Sequence, residues 1–186
     1  MNSIYRAVIF ITVLSFAYFD SAASDNKLRH FIVYDVPEAG LIAYKPGSPE
    51  WNIDIDDRKG NDAILLSTPE FYFPPTSVEI RLDNNFDINS QTVREVGKEL
   101  NIILRRKTNA DNLFESGLSE VTYGNIEAVT DQFDVSYQGK MYTIKHIVGR
   151  MPSGKIITMV ASTAHNQIEE VEHMLSKIYS NLRERL

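Results

Sequence analysis

Between residues 28 and 82 the apolar positions come in short runs broken by turn formers. Residues 31–34 make one run, 41–44 another, Trp51, Ile53 and Ile55 recur at every second place, 63–66 follow, and Val78, Ile80 and Leu82 alternate again. A repeat of two, bounded by Pro-Gly, Lys-Gly-Asn and Pro-Pro, predicts strands of an antiparallel sheet with one covered face. The period then lengthens. Over residues 90–107 the apolar positions Val93, Val96, Leu100, Ile103 and Leu104 fall three or four apart, which predicts an amphipathic helix. Asn89 or Ser90 is placed to cap its start, and Arg105, Arg106 and Lys107 sit at the negative end of its dipole. Gly97 inside that helix is unfavourable by about 1 kcal/mol relative to Ala and allows close packing on the sheet.

After a polar stretch at 108–117 strands resume. Phe133, Val135 and Tyr137 alternate with polar residues, Gln138-Gly139 supplies a two-residue turn, and residues 141–148 run back. A second turn at 151–154 leads into 155–162, giving a three-stranded meander. Thr163 is then placed to cap a final helix whose Ile168, Val171, Leu175, Ile178 and Leu182 form one stripe, with Glu169, Glu170 and Glu172 early and Lys177, Arg183 and Arg185 late. The predicted class is α+β, an antiparallel β-sheet flanked by two amphipathic helices.

The first residues follow another logic. Residues 1–6 carry one positive charge, 7–19 are uncharged and dominated by Val, Ile, Leu and Phe, and Asp20-Ser21-Ala22-Ala23 ends the segment on small residues. This is the pattern of a secretory signal cut after Ala23, and its apolar run is short for a hydrocarbon layer of roughly 30 Å. Residues 1–23 are therefore expected to be removed, leaving 24–186 as a single α+β domain with no stable membrane insertion after cleavage, because no second apolar run of about 18 residues follows. The expected location is extracytoplasmic, either periplasmic or secreted. No Asn-x-Ser/Thr glycan acceptor occurs.

The 186 residues contain no cysteine, which removes disulfide scaffolds, thiolate metal sites and cysteine nucleophiles from consideration. With 19 Lys+Arg against 25 Asp+Glu the formal charge is −6, and no basic run offers a surface for nucleic acid.

The order of strands, helix, meander and terminal helix resembles the PsbP-like α/β/α sandwich, shared by photosystem II accessory proteins, Ran-binding import factors and bacterial envelope proteins of the DcrB type. The resemblance runs from about Trp51 to the C-terminus. It is carried by residues 78–82 leading into 90–104, then 124–128, Tyr137-Gln138-Gly139-Lys140-Met141-Tyr142, Pro152-Ser153-Gly154-Lys155, Ala161-Ser162-Thr163 and the ending Ile178-Tyr179-Ser180-Asn181-Leu182. It implies a fold whose members mostly bind partners and are not enzymes.

Several strings invite chemistry. Gly149 to Lys155 has the spacing of a phosphate-binding loop, but Ile156 stands where Ser or Thr would hold magnesium and a strand follows where a helix is needed, so it reads as a hairpin turn. The acidic stretches 54–62 and 83–89 do not fit an EF-hand loop: Arg58 occupies the fifth place of the first, and Ile88 and Arg94 the sixth and twelfth of the second. His165 and His173 are eight apart on the last helix, about 80° around it from each other, and read as surface residues. His146 shares an apolar strand face with Tyr142, Ile144 and Val148, where a hydrogen-bonded core histidine is the plain reading and a catalytic base the sharper one.

Residues 69–75, Pro-Glu-Phe-Tyr-Phe-Pro-Pro, concentrate three aromatics between prolines. Prolines forbid a central strand, so the rings either plug one end of the core or form a partner surface. The function expected is that of an exported, non-catalytic binding or accessory protein without cofactor or metal. It would engage a protein or a small apolar ligand through Phe71, Tyr72, Phe73 and Trp51. The alternatives are an extracytoplasmic hydrolase using His146 with Asp131 or Asp134, and a secreted effector acting on a host.

Overall fold

The computed structural model describes residues 31–56, 63–83, 91–110 and 117–185. Residues 1–23, on which the secretory signal is expected, His30, most of both acidic stretches, and Asn89 and Ser90 lie outside the described residues. The chain opens with β1 (Phe31–Val36) and β2 (Leu41–Pro46), joined through a 3-10 turn at Pro37–Ala39. Then come β3 (Asn52–Asp56), β4 (Ala63–Ser67) and β5 (Thr76–Asp83), followed by α1 (Val93–Lys107). A four-stranded meander follows: β6 (Ser119–Tyr123), β7 (Ile126–Tyr137), β8 (Lys140–Arg150) and β9 (Ile156–Ala164). Helix α2 (Ile168–Ser180) and a short β10 (Arg183–Glu184) complete the described chain.

The strands make two sheets where the alternating pattern predicts one. Seven strands pair antiparallel in the order β3-β4-β5-β9-β8-β7-β6, while β1, β2 and β10 form a separate small sheet in the order β1-β2-β10. The hinge between the two halves of the sequence is the β5–β9 pairing, in which Thr76 lies opposite Thr163 and Asp83 opposite Ile156. β2 leaves the large sheet because its buried side chains, Leu41 and Ala43, pack with α2 onto that sheet's face instead of extending it. Both α2 and the small sheet thus cover one face, burying Trp51, Ile64, Ile80, Ile147, Met159, Leu175 and Ile178 between the layers.

The opposite face belongs to α1. Leu104 packs with Phe133, Val135 and Ile144, and Val96 with Val129, Val148 and Ile156, so the helix lies over β7 and β8. A Cβ at Gly97 would meet Val129 Cγ2 at 2.3 Å, so the missing side chain is what lets the helix approach the sheet. Among the described residues no helix packs on the β3–β5 half of that face, which carries largely covered charged side chains: Arg81 donates to Glu79 Oε1 at 2.9 Å and reaches Asp56 Oδ2 at 4.0 Å.

Both helix starts differ from the sequence expectation. α1 is capped by Thr92, whose Oγ1 accepts from the Glu95 amide at 3.2 Å while the Glu95 carboxylate accepts from the Thr92 amide at 2.7 Å. This reciprocal capping box out-competes Asn89 and Ser90, because it satisfies two orphan amides at once. Thr163 does not cap α2: it is still in β9, with its hydroxyl buried against Thr76, and α2 starts after Gln167 without a side-chain cap. Leu182 is buried but lies beyond the helix end, in the turn toward β10. The Gly149–Lys155 string is a turn, in which Gly154 N–H donates to Met151 O at 2.8 Å and Met151 N–H to Lys155 O at 2.9 Å before β9 begins. No described helix is long and apolar enough to cross a membrane.

Candidate functional site

The aromatic segment between β4 and β5 stands out at the surface. Phe71 is 83% exposed and Phe73 65% exposed, although large rings of this kind ordinarily gain roughly 1.5–3 kcal/mol by burial. Tyr72 behaves differently: it packs against the main core and its hydroxyl donates to Met174 Sδ on α2 at 3.8 Å. Burial raises the pKa of that phenol, with the charge of Glu170 adding to the effect, so Tyr72 is a neutral peg. The two expectations for these rings are thus divided among them: one ring plugs the core edge and two face outward.

The base of the segment is held firmly. Thr68 N–H donates to Thr76 O at 2.9 Å, Thr76 N–H returns a bond to Thr68 Oγ1 at 3.0 Å, and Thr76 Oγ1 donates to Pro74 O at 3.0 Å. The same hydroxyl bonds Thr163 Oγ1 at 3.2 Å, which ties the loop to β9, and Tyr72 N–H closes a turn on Pro69 O at 3.0 Å. Three buried threonines and a tyrosine peg present the two phenylalanines from a fixed mount, which lowers the entropy lost when a partner orders them.

Trp51 does not share this surface. Its side chain is 0% exposed, in the core between the sheets, while the alternation it begins loses its cover along β3: Ile53 is partly buried against the same core and Ile55 is 37% exposed. Its carbonyl accepts from the buried Lys45 ammonium at 2.7 Å, and Lys45 also bonds Glu50 at 2.7 Å with its Nζ 4.7 Å from the Tyr34 ring centroid. Trp51 is therefore part of the fold's support, not of a contact surface.

His146 lies in a second, closed constellation. It is 4% exposed and pairs across the ladder with Asp131. Asn101 from α1 bridges the two, donating through Nδ2 to Asp131 Oδ2 at 2.6 Å and facing His146 Nδ1 with Oδ1 at 3.2 Å. The ionised carboxylate only accepts, which turns the Asn101 amide so that its oxygen meets the imidazole; Nδ1 therefore carries the ring proton. Arg105 bonds the same carboxylate oxygen through Nε at 3.1 Å and through a terminal nitrogen, and its guanidinium lies 4.2 Å from the Phe133 ring centroid. Burial pushes the imidazole down to about 4, with Asp131 opposing and Arg105 reinforcing the shift, so the ring is neutral at physiological pH.

Of the two carboxylates considered for His146, the structure brings only Asp131 to it. Asp134 is three residues on along β7 and points to the other face, where Thr143 Oγ1 donates to it at 2.7 Å and His165 Nδ1 lies 3.4 Å away. No hydroxyl among the described residues hydrogen-bonds the His146 ring, and Asn101, Arg105, Asp131 and His146 are all buried. What this arrangement does chemically is fasten α1 to the sheet. Arg105, expected at the helix end as a dipole cation, is instead its innermost charge; the step of four from Gly97 through Asn101 to Arg105 marks one helix face and was the signal available in the sequence. His165 and His173 are exposed, as expected, but only His173 lies on α2; His165 sits in the turn before it, because the helix starts after Gln167.

A less obvious feature adjoins the aromatic loop. Tyr137 and Met141 are exposed at the β7–β8 hairpin, the end of the large sheet at which the β4–β5 segment also lies, since Thr76, Thr163 and Thr143 share one rung. In the sequence they continue an alternating strand pattern and give no hint that the hairpin runs past the covered part of the sheet.

A cyanobacterial PsbP from Synechocystis superposes on this chain with a TM-score of 0.53 at 14% identity, covering 88% of this chain and 98% of that one. The fold is PsbP-like. The PsbP-like chain also matches a Bacteroides thetaiotaomicron structure with a TM-score of 0.49 at 16% identity, over 83% of this chain and 48% of that one, so it spans about half the length of that protein. LpqN of Mycobacterium tuberculosis, involved in cell envelope biogenesis, gives a TM-score of 0.44 at 13% identity, over 76% of this chain and 81% of that one. No family model and no curated protein matches the chain. At these identities the likeness establishes architecture and assigns no residue a role.

Proposed function

We propose that this is a non-catalytic binding or accessory protein that works outside the cytoplasm and engages a protein partner through the Phe71–Phe73 loop. The observation that carries the reading is the pair of phenylalanines, 83% and 65% exposed, on a loop whose backbone is fixed by Thr68, Thr76 and Thr163. Exposed aromatics on a rigid mount are the usual anchors of protein interfaces, whereas a monomer without a partner gains nothing from displaying them. The secretory pattern of residues 1–23 supports the location. The closure of the His146 cluster supports the non-catalytic part of the reading, since a general base needs reach to a substrate proton and a pKa near working pH. Affinity capture from the native envelope and culture medium tests it. A partner retained by wild type and lost by Phe71→Ala/Phe73→Ala is the expected result; an identical captured set for both overturns the reading.

A further inference from the structure

The two outward rings are edged by unbalanced negative charge. Glu70 precedes Phe71 in the loop and is exposed, and Glu169 and Glu170 are exposed in the first turn of α2. The Tyr72 peg brings these together: its hydroxyl bonds Met174, one helical turn beyond Glu170, and Glu170 acts electrostatically on the Tyr72 phenol. None of the three glutamates forms an ion pair among the described residues. Glu172, two places further on, shows the contrast, being held by Lys145. The helix dipole accounts for carboxylates at 169 and 170, but not for Glu70.

We infer that the loop's partner is a protein presenting a Lys/Arg-rich, apolar segment. This rests on the reading of the loop as a partner surface and adds the chemistry of what it meets. Exposed phenylalanine faces attract ammonium and guanidinium groups as well as apolar side chains, and three neighbouring carboxylates balance the cations that arrive. The same charges speak against a membrane occupant. Aromatic anchors of membrane surfaces are accompanied by Lys and Arg that meet anionic headgroups, whereas here the loop itself carries Glu70 and packs through Tyr72 on the helix that bears Glu169 and Glu170, in a chain of formal charge −6. Lys140, exposed on the β7–β8 hairpin, is a cation at this end of the sheet, one charge against three glutamates.

The test uses the mature protein and a labelled Arg/Leu-rich peptide, the Glu/Leu counterpart of that peptide, and vesicles of phosphatidylglycerol or of phosphatidylcholine. Fluorescence anisotropy is expected to show the Arg/Leu peptide binding about tenfold or more tightly than its counterpart, with an advantage that shrinks as salt rises. Glu70→Gln/Glu169→Gln/Glu170→Gln should lose most of that advantage while staying folded, with a urea midpoint lowered only by the lost interaction of 169 and 170 with the helix dipole, and Phe71→Ala/Phe73→Ala should weaken the same peptide severalfold. Equal affinity for both peptides, an unaffected glutamine variant, or tighter binding to phosphatidylglycerol vesicles overturns the inference. Native capture separates the two layers of the proposal. If Phe71→Ala/Phe73→Ala abolishes capture and the glutamine variant does not, the loop binds a partner but its charge preference fails. If the phenylalanine variant leaves capture unchanged, the loop reading itself fails.

Discussion

Two regions of this molecule draw attention for opposite reasons. The cluster under α1 holds a histidine, an aspartate, an arginine and an asparagine in mutual hydrogen-bond contact, and all four are buried. The β4–β5 loop holds two phenylalanines whose rings carry no hydrogen-bonding group, and both face solvent. Richness of functional groups and accessibility to a partner have been separated. In the first region every polar atom named is turned toward another part of the chain, so its free energy goes into positioning α1; in the second the apolar surface is withheld from the fold and left for something else. A catalytic constellation needs both properties, whereas a binding surface needs access alone, so here access decides.

The largest expected effect is on the closed region. Asp131→Ala removes the acceptor shared by Asn101 and Arg105 and leaves a buried cation without its carboxylate, which should destabilise the protein by about 3–5 kcal/mol in urea unfolding. A loss below about 1 kcal/mol would show that α1 is held by its apolar stripe alone.

His146 gives the same region a pH signature. Its folded-state pKa of about 4 lies below the ordinary value of 6.5, so the unfolded chain binds more protons between those limits. Stability is fully present above about pH 6.5, falls as pH drops through that window, and the loss, on the order of 3 kcal/mol, is complete below the folded value. His146→Gln keeps a polar side chain that does not titrate, so its stability should fall less steeply than wild type between pH 7 and 4. Parallel curves for the two proteins would sink the assignment.

Gly97→Ala probes the seal above the cluster. The added methyl would meet Val129 Cγ2, a short side chain with little room to turn, and overpacking of about 1–3 kcal/mol exceeds the helix-propensity gain of up to about 1 kcal/mol. A net destabilisation of about 1–2 kcal/mol is expected in the same urea assay, and a stabilised variant would mean that α1 can lift from the sheet at little cost.

Much of the middle layer was legible because it obeys a period. The alternation at 78–82 and 133–137 and the three-four spacing of 93–104 record which side of each element is covered. Two things were not recorded there. The partition of strands into two sheets depends on β2 packing with α2 in three dimensions, and the short β10 has too few residues for any period to show. Trp51 and Phe71 carry the same kind of information in the sequence, an aromatic near a proline, yet one is at the core and the other in solvent. Trp51 stands just before β3, on an alternation whose next member, Ile53, packs against the main core, whereas Phe71 lies in a turn between prolines, where no period assigns a face. Asn101 and Arg105 escaped notice because a polar residue on a helix is read as outward until its partner across the gap is known.

The smallest effect on stability is expected where the effect on binding should be greatest. Phe71 and Phe73 contribute little to the core, so Phe71→Ala/Phe73→Ala should leave the urea midpoint within about 0.5 kcal/mol of wild type. Tyr72→Ala in the same loop should cost more than both together, because it withdraws a ring packed against the main core and the hydroxyl contact to Met174. Ordering these variants by stability therefore reverses their ordering by residue count. If the double phenylalanine variant proves as destabilised as Tyr72→Ala, the two rings are held by the chain itself in solution, and the contrast between a closed polar cluster and an open aromatic loop collapses.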